Sequence, residues 1–256
     1  MKVALFITCI ADQLYPQVGR AVVRVLRKLG DEVEFPEAQT CCGQPAFNFG
    51  FREEAKAVAM HFLKTFEHSD CIVCPAGSCA TMVRRFYGEL FEEKGKGAAA
   101  DAEWRTRWQA VAAKIFEFSE YLDKFHKERL KAILARKPKR TKSGETKMTY
   151  HDSCHLLREL HISDQPRDIL KQAAGVEYLE MERATECCGF GGLFSVYNTE
   201  VSAQMADAKI ATVQRCGANA VVACDSGCLM HLQGRVARRR LPIQTLHLAE
   251  VLERYL

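Results

Sequence analysis

Two stretches decide how this chain is read: Cys41-Cys42-Gly43, and Cys187-Cys188-Gly189 with its continuation Phe190-Gly191-Gly192. Each triplet is flanked by lone cysteines, Cys9 and Cys79 around the first, Cys154 and Cys228 around the second. Equivalent cysteines lie 145 residues apart (Cys9 to Cys154), 146 apart (Cys41 to Cys187) and 149 apart (Cys79 to Cys228). Nearly constant spacing marks an internal repeat, which governs the rest of the reading. The repeat reaches beyond the cysteines: FEFSEYLDKF at 116–125 resembles LHLAEVLERY at 246–255, at a spacing of 130. The drop from 149 to 130 gives the first copy about 19 extra residues, for which GKGAAADAEWRTRW at 95–108 is the natural place. The halves are therefore drawn at 1–135 and 147–256, joined by a linker at 136–146.

Within each half, short apolar runs alternate with segments of helical periodicity. Strands are expected at 3–8, 32–35 and 71–74, and helices at 18–29, 52–66 and 79–91, with Gly30 stopping the first helix. The second half repeats the order, with strands at 148–151, 176–179 and 220–224 and helices at 166–174, 196–215 and 229–238. Such alternation predicts an α/β fold of two pseudo-symmetric repeats, each a small parallel sheet flanked by helices.

On that layout Cys9 and Cys154 fall just past first strands, Cys79 and Cys228 after third strands, and the triplets in the loops after second strands. In an open parallel sheet these loops share one edge, where ligands bind. Four thiols from about 70 residues of sequence are thus expected at one edge, twice over. Adjacent cysteines in extended backbone point apart, so both face one site only if the chain turns tightly, and Gly43 and Gly189 allow that. Adjacent residues lie too close for an ordinary disulfide. A multi-iron cluster suits such a pair better than a single zinc ion. Gly189, Gly191 and Gly192 would let backbone amides approach cluster sulfides, against the plainer reading of a glycine turn.

Other candidates are weaker. Cys71 reads as core packing, Cys74 and Cys224 as alternatives between a fifth ligand and buried thiols, and Cys216 as structural. His151 and His155 bracket Cys154, and either could ligate iron, bond to a thiolate or simply pack.

Composition limits the alternatives. At 48% hydrophobic and 27% charged the chain is an ordinary globular protein, and a net charge of +4 argues for neither nucleic acid nor membrane as main partner. The basic run RKPKRTK at 136–142 reads as a solvated linker. The apolar run at 3–10 meets Asp12 and no small-residue cleavage site, so it reads as a strand rather than a secretory signal. A cytoplasmic location is expected, where 12 regularly spaced cysteines are metal ligands before they are disulfides. No dinucleotide fingerprint, P-loop or Ser/His/Asp set is present.

The doubled Cys…Cys-Cys-Gly…Cys pattern resembles the CCG-domain (cysteine-rich domain) family. Within it, TCIADQLYPQVGRA, CCGQPAFNFG, CPAGSCATM, CCGFGGLFSV and SGCLMHLQGR are similar to the lactate-utilisation protein A type. The resemblance implies an iron–sulfur subunit of an L-lactate dehydrogenase type oxidoreductase, carrying two clusters and working with other iron–sulfur subunits of a lactate-utilisation complex. It is not a complete enzyme on this reading. The wider family closes each motif with CxxC, whereas this chain has Ala76 and Asp225 at the first of those positions. Four ligands per half, Cys9, Cys41, Cys42 and Cys79, then Cys154, Cys187, Cys188 and Cys228, suit an ordinary [4Fe–4S] cluster; a non-cubane one needs Cys74 and Cys224. Two rivals stand beside electron transfer: a zinc-bound structural module, and a heterodisulfide-reductase-like thiol–disulfide enzyme using Cys187-Cys188.

Overall fold

The computed structural model describes residues 1–91, 98–136, 138 and 147–256. Of the expected linker at 136–146, only Arg136 and Pro138 belong to them; the rest of the basic run lies outside the described residues.

The first half runs β1 (Lys2–Leu5), α1 (Cys9–Leu14), α2 (Pro16–Lys28), β2 (Glu32–Glu34), α3 (Gln44–Asn48), α4 (Arg52–Phe66), β3 (Ile72–Cys74) and α5 (Gly77–Thr81). A π-helical turn at Met82–Phe86 leads on to α6 (Tyr87–Leu90), α7 (Ala98–Ala112), β4 (Ile115–Glu117) and α8 (Phe118–Leu134). The second half has β5 (Lys147–Tyr150), α9 (Cys154–Leu160), α10 (Asp164–Gln172), β6 (Glu177–Tyr178), α11 (Phe194–Tyr197), α12 (Thr199–Arg215), β7 (Ala220–Ala223), α13 (Ser226–Arg238), β8 (Gln244–His247) and α14 (Leu248–Glu253). Two parallel sheets result, ordered β2-β1-β3-β4 and β6-β5-β7-β8.

Strand register reproduces the repeat residue by residue. Lys2 pairs with Glu32 as Lys147 pairs with Glu177, Ala4 with Ile72 as Thr149 with Val221, and Ile72 with Ile115 as Val221 with Thr245. These pairs carry the spacings 145, 149 and 130 found among the cysteines and the last helices. The extra residues of the first half fall largely in α7, which Trp108 fastens by donating its indole N–H to the Val83 carbonyl at 2.6 Å.

Three expectations need correction. Each sheet has four strands, not three, because 115–117 and 244–247 are strands that run straight into a helix. Glu117 and His247 both end a strand and cap the following helix, so no loop residue separates the two patterns. The helix expected over 196–215 is broken at Asn198 into α11 and α12, and the one expected over 79–91 begins at Gly77.

The halves interlock. α8 of the first packs on α10 of the second, and α14 of the second packs on α2 of the first. Ala174 N–H of the second half donates to the Leu134 carbonyl of the first at 2.9 Å. One apolar core accordingly spans both sheets, from Val3 to Tyr255, with a smaller one beneath α12 and α13.

Candidate metal centres

In the first half Cys9 opens α1 and Cys79 is the third residue of α5, so both thiols stand at the ends of buried strands. Cys41 and Cys42 come from the loop after β2. Cys9 Sγ lies 3.8 Å from Cys41 Sγ, and Cys42 Sγ lies 3.2 Å from Cys79 Sγ. Cys42 and Cys79 are buried, Cys41 is half-buried and Cys9 is exposed, giving a quartet with a dry floor and an open mouth. Tyr87, fully buried, donates its hydroxyl to the Cys42 carbonyl at 2.9 Å and fixes that floor.

The second quartet has the same construction. Cys154 opens α9 and Cys228 is the third residue of α13. The Cys188 and Cys228 sulfurs lie within 4.8 Å of each other, and Cys187 interacts with the thiols of Cys154 and Cys188. Cys188 and Cys228 are buried, Cys154 and Cys187 half-buried. Ser202 holds the turn by donating its hydroxyl to the Gly189 carbonyl at 2.8 Å.

The triplet glycines adopt the left-handed backbone the sequence requires, with φ of 80° at Gly43 and 89° at Gly189. Their amides donate back to the first thiol of each pair, to Cys41 Sγ at 3.4 Å and Cys187 Sγ at 3.3 Å. A side chain at Gly189 would also meet the Ser202 carbonyl oxygen at 2.6 Å, so α12 packs directly on this turn. Gly191 and Gly192 also have positive φ and form the turn into α11, where a Gly191 side chain would strike Phe194.

Thiol acidities follow these bonds. Hydrogen bonds from Cys42 and Cys9, then from the Gly43 amide, hold Cys41 well below the usual thiol range. Cys154, Cys188 and the Gly189 amide do the same for Cys187. Their partners Cys9, Cys42, Cys154 and Cys188 are pushed up by donating to those thiolates, with burial adding to the effect. One thiol in each quartet is thus ready to ionise, which metal binding requires.

Cys74 donates to the Ala76 carbonyl at 3.4 Å, and Cys224 is surrounded by Glu117, Tyr150 and Ser119. Cys71 is core, and Cys216 bonds back to the Val213 carbonyl at a helix end. His155 lies beside Cys154, Nδ1 to Sγ 4.0 Å, with its ring edge-on to Phe86. His151 is fully buried, and a ring nitrogen lies within 4.8 Å of the Cys188 and Cys228 thiols. Among the described residues, neither of its ring nitrogens has a hydrogen-bond partner.

Sequence reasoning noted Asp225 only as standing in place of a cysteine and missed what its carboxylate does. It caps α13 by accepting from Gly227 N–H at 3.0 Å, and reaches across the halves to accept from Ser78 N–H at 2.9 Å. Ser78 and Cys79 are adjacent, so a buried carboxylate ties the two quartets' helices together.

The donor chemistry fits a thiophilic group: each quartet presents four sulfurs, and soft thiolates select zinc, Cu(I) or iron–sulfur clusters over hard cations. The sequence model of the CCG family, described as Cysteine-rich domain, matches residues 3–84 and 148–233. Lactate utilization protein A 2 of Bacillus cereus is 42% identical over 252 residues, covering 98% of each chain. Lactate utilization protein A of Geobacillus sp. (strain WCH70) is 42% identical over 253 residues, covering 98% of this chain and 99% of its own. The crystal structure of a hypothetical protein from Helicobacter pylori shares the fold, with a TM-score of 0.66 at 12% identity. The match covers 98% of this chain and spans 48% of that one. Each segment matched by the family contains one complete quartet, and the chain belongs to the cysteine-rich CCG-domain family.

Proposed function

We propose that this chain is an iron–sulfur electron-transfer subunit of a cytoplasmic complex that oxidises L-lactate to pyruvate, working with other iron–sulfur subunits. The observation that carries the reading is the gathering of eight cysteines into two separate quartets, each with a buried floor and an accessible mouth. Similarity over nearly the whole length to lactate utilization proteins A supports the substrate. Among the described residues no helix is long and apolar enough to cross a membrane.

Cys9, Cys41, Cys42 and Cys79 would hold one [4Fe–4S] cluster, and Cys154, Cys187, Cys188 and Cys228 the other. Such groups supply one-electron redox chemistry, and two of them match the electron pair that a 2-hydroxy acid gives up on becoming a 2-oxo acid. The chain's own residues bind and insulate. Tyr87 and the buried Cys42 and Cys79 keep water from one side of the first site. The amides of Gly43 and Gly189 stabilise the charge on Cys41 and Cys187.

One distance in the first quartet favours a second reading, a structural zinc. With Zn–S bonds of about 2.3 Å, two thiolates on one tetrahedral zinc stand about 3.8 Å apart, and Cys9 Sγ and Cys41 Sγ are 3.8 Å apart. Anaerobic purification separates the two. About eight iron and eight acid-labile sulfide per chain, with brown colour, is the expected result. A colourless chain with one zinc per quartet overturns it.

A further inference from the structure

The two quartets share a backbone but not their surroundings. The strand register carries Phe6 onto His151, at the spacing of 145; each donates its N–H to the neighbouring strand, Phe6 to the Val73 carbonyl and His151 to the Val222 carbonyl. The helix behind them is matched by packing. A side chain at Gly43 would come within 3.5 Å of the Ala55 carbonyl oxygen, and one at Gly189 within 2.6 Å of that of Ser202. That fixes a spacing of 147 between α4 and α12 and carries Phe62 onto Lys209.

In the first half Phe6 and Phe62 are a buried aromatic pair, ring centroids 4.8 Å apart. In the second half the same two places hold His151, 0% exposed, and Lys209, 2% exposed. An apolar pair has been exchanged for two nitrogen-bearing side chains in an equally dry place, an exchange that carries a desolvation cost unless the nitrogens have work there. Lys209 donates to the carbonyls of Arg183 and Ala184, and it lies within electrostatic reach of Cys187 and Cys188. The Ala184 carbonyl also acts on the His151 ring, though short of hydrogen-bond geometry. A ring N–H turned toward that carbonyl leaves the other nitrogen's lone pair free to face Cys188 and Cys228, the arrangement usual for metal-bound histidine.

We infer that His151 takes the place of one of the four thiolates as a nitrogen ligand of the second centre, and that His151 and the Lys209 ammonium together raise that centre's reduction potential above the first's, so that a single added electron resides in the second half. This rests on the iron–sulfur reading above. Two physical effects share one sign: replacing thiolate character by neutral imidazole raises the potential of an iron–sulfur centre, and a buried cation stabilises its reduced, more negative form. The first centre has phenylalanines in both places and gains neither effect from them.

The test uses the full chain, purified or reconstituted anaerobically with iron and sulfide, reduced stepwise by dithionite and followed by electron paramagnetic resonance. Wild type should show two separate one-electron reductions, the centre reduced first carrying nitrogen hyperfine coupling that changes when histidine is 15N-labelled. His151→Phe, which installs the first-half residue, should abolish that coupling and shift the electron's distribution at least tenfold toward the first centre. That is about 59 mV for a one-electron couple. Lys209→Met should shift it in the same direction with the coupling intact, and it carries the test if His151→Phe loses iron. Coincident reductions in wild type, or a coupling that survives in iron-loaded His151→Phe, overturns the inference while leaving two clusters in place. A wild-type chain that takes up no iron or sulfide refutes the electron-transfer reading itself.

Discussion

In the first half, the corner between the end of β1, α2 and the segment after β2 is an open groove of about 400 Å3, lined by Ile7, Val23 and Phe35 among others. In the second half the register puts Asp152 where Ile7 stands and Glu180 where Phe35 stands. Arg167 of α10 closes that corner. It grips both carboxylate oxygens of Asp152, at 2.7 and 2.6 Å, and both of Glu180, at 3.0 Å each. Two matching backbone corners are thus left open in one copy and sealed by ions in the other. Strand order and register place the corner; whether it is a groove depends on three side chains.

The largest effect should come from breaking the sealed corner. Asp152 is 1% exposed, so Arg167→Met leaves a buried carboxylate without its counter-ion. A loss of about 3–5 kcal/mol is expected. Arg20→Met, on the rim of the open corner, should stay within about 0.5 kcal/mol of wild type. Urea unfolding of the two variants side by side checks this, and equal losses would break the comparison.

That contrast also shows what the sequence could tell. Cysteine spacing revealed the repeat, and the loops it assigned to one sheet edge are where the thiols converge, because equivalent loops of a repeated parallel sheet fall at nearly equal spacing. The fourth strand of each sheet escaped, because Glu117 and His247 serve strand and helix at once and erase the usual boundary. His151 and His155 look alike beside Cys154. Only strand pairing separates them: His151 continues β5 with its side chain turned into the interior, while His155 rides on α9 beside Phe86. A signal was available in the spacing of 145, which sets His151 against the apolar Phe6. Asp225 bonds to Ser78 across 147 residues of sequence, a contact no local pattern encodes.

A sharper contrast lies at the two capping residues, both 0% exposed. Burial pushes Glu117 up to about 7 and His247 down to about 4. The folded state therefore holds a proton on Glu117 that the unfolded chain releases above about 4.5, and stability from this group is lost as pH climbs through about 7. For His247 the unfolded chain takes up a proton below about 6.5 that the folded state refuses, so stability is lost as pH falls toward about 4. Each contribution is on the order of 3 kcal/mol. Glu117→Gln should flatten the alkaline side of the stability profile and His247→Gln the acid side, read as unfolding free energy between pH 4 and 8. Matching slopes in the two variants would contradict the burial argument.

The smallest effect tests the carboxylate tie between the quartets' helices. Ala76, ahead of α5, offers no side chain to cap it, whereas Asp225 caps α13 and accepts from Ser78 as well. Asp225→Ala removes both acceptors and should cost about 1–2 kcal/mol, in the range of a lost helix cap. Asp225→Asn should fall between, since an amide has a single oxygen and can serve only one of the two N–H groups. Hydrogen exchange at Ser78 and Gly227 tells which bond is kept. If Asn protects Gly227 and frees Ser78, the cap dominates; the reverse result would make the link between halves the stronger of the two bonds. Equal protection of both amides in Asp225→Ala would mean that packing of α5 on α9 already holds the quartets in register, with the carboxylate adding nothing to it.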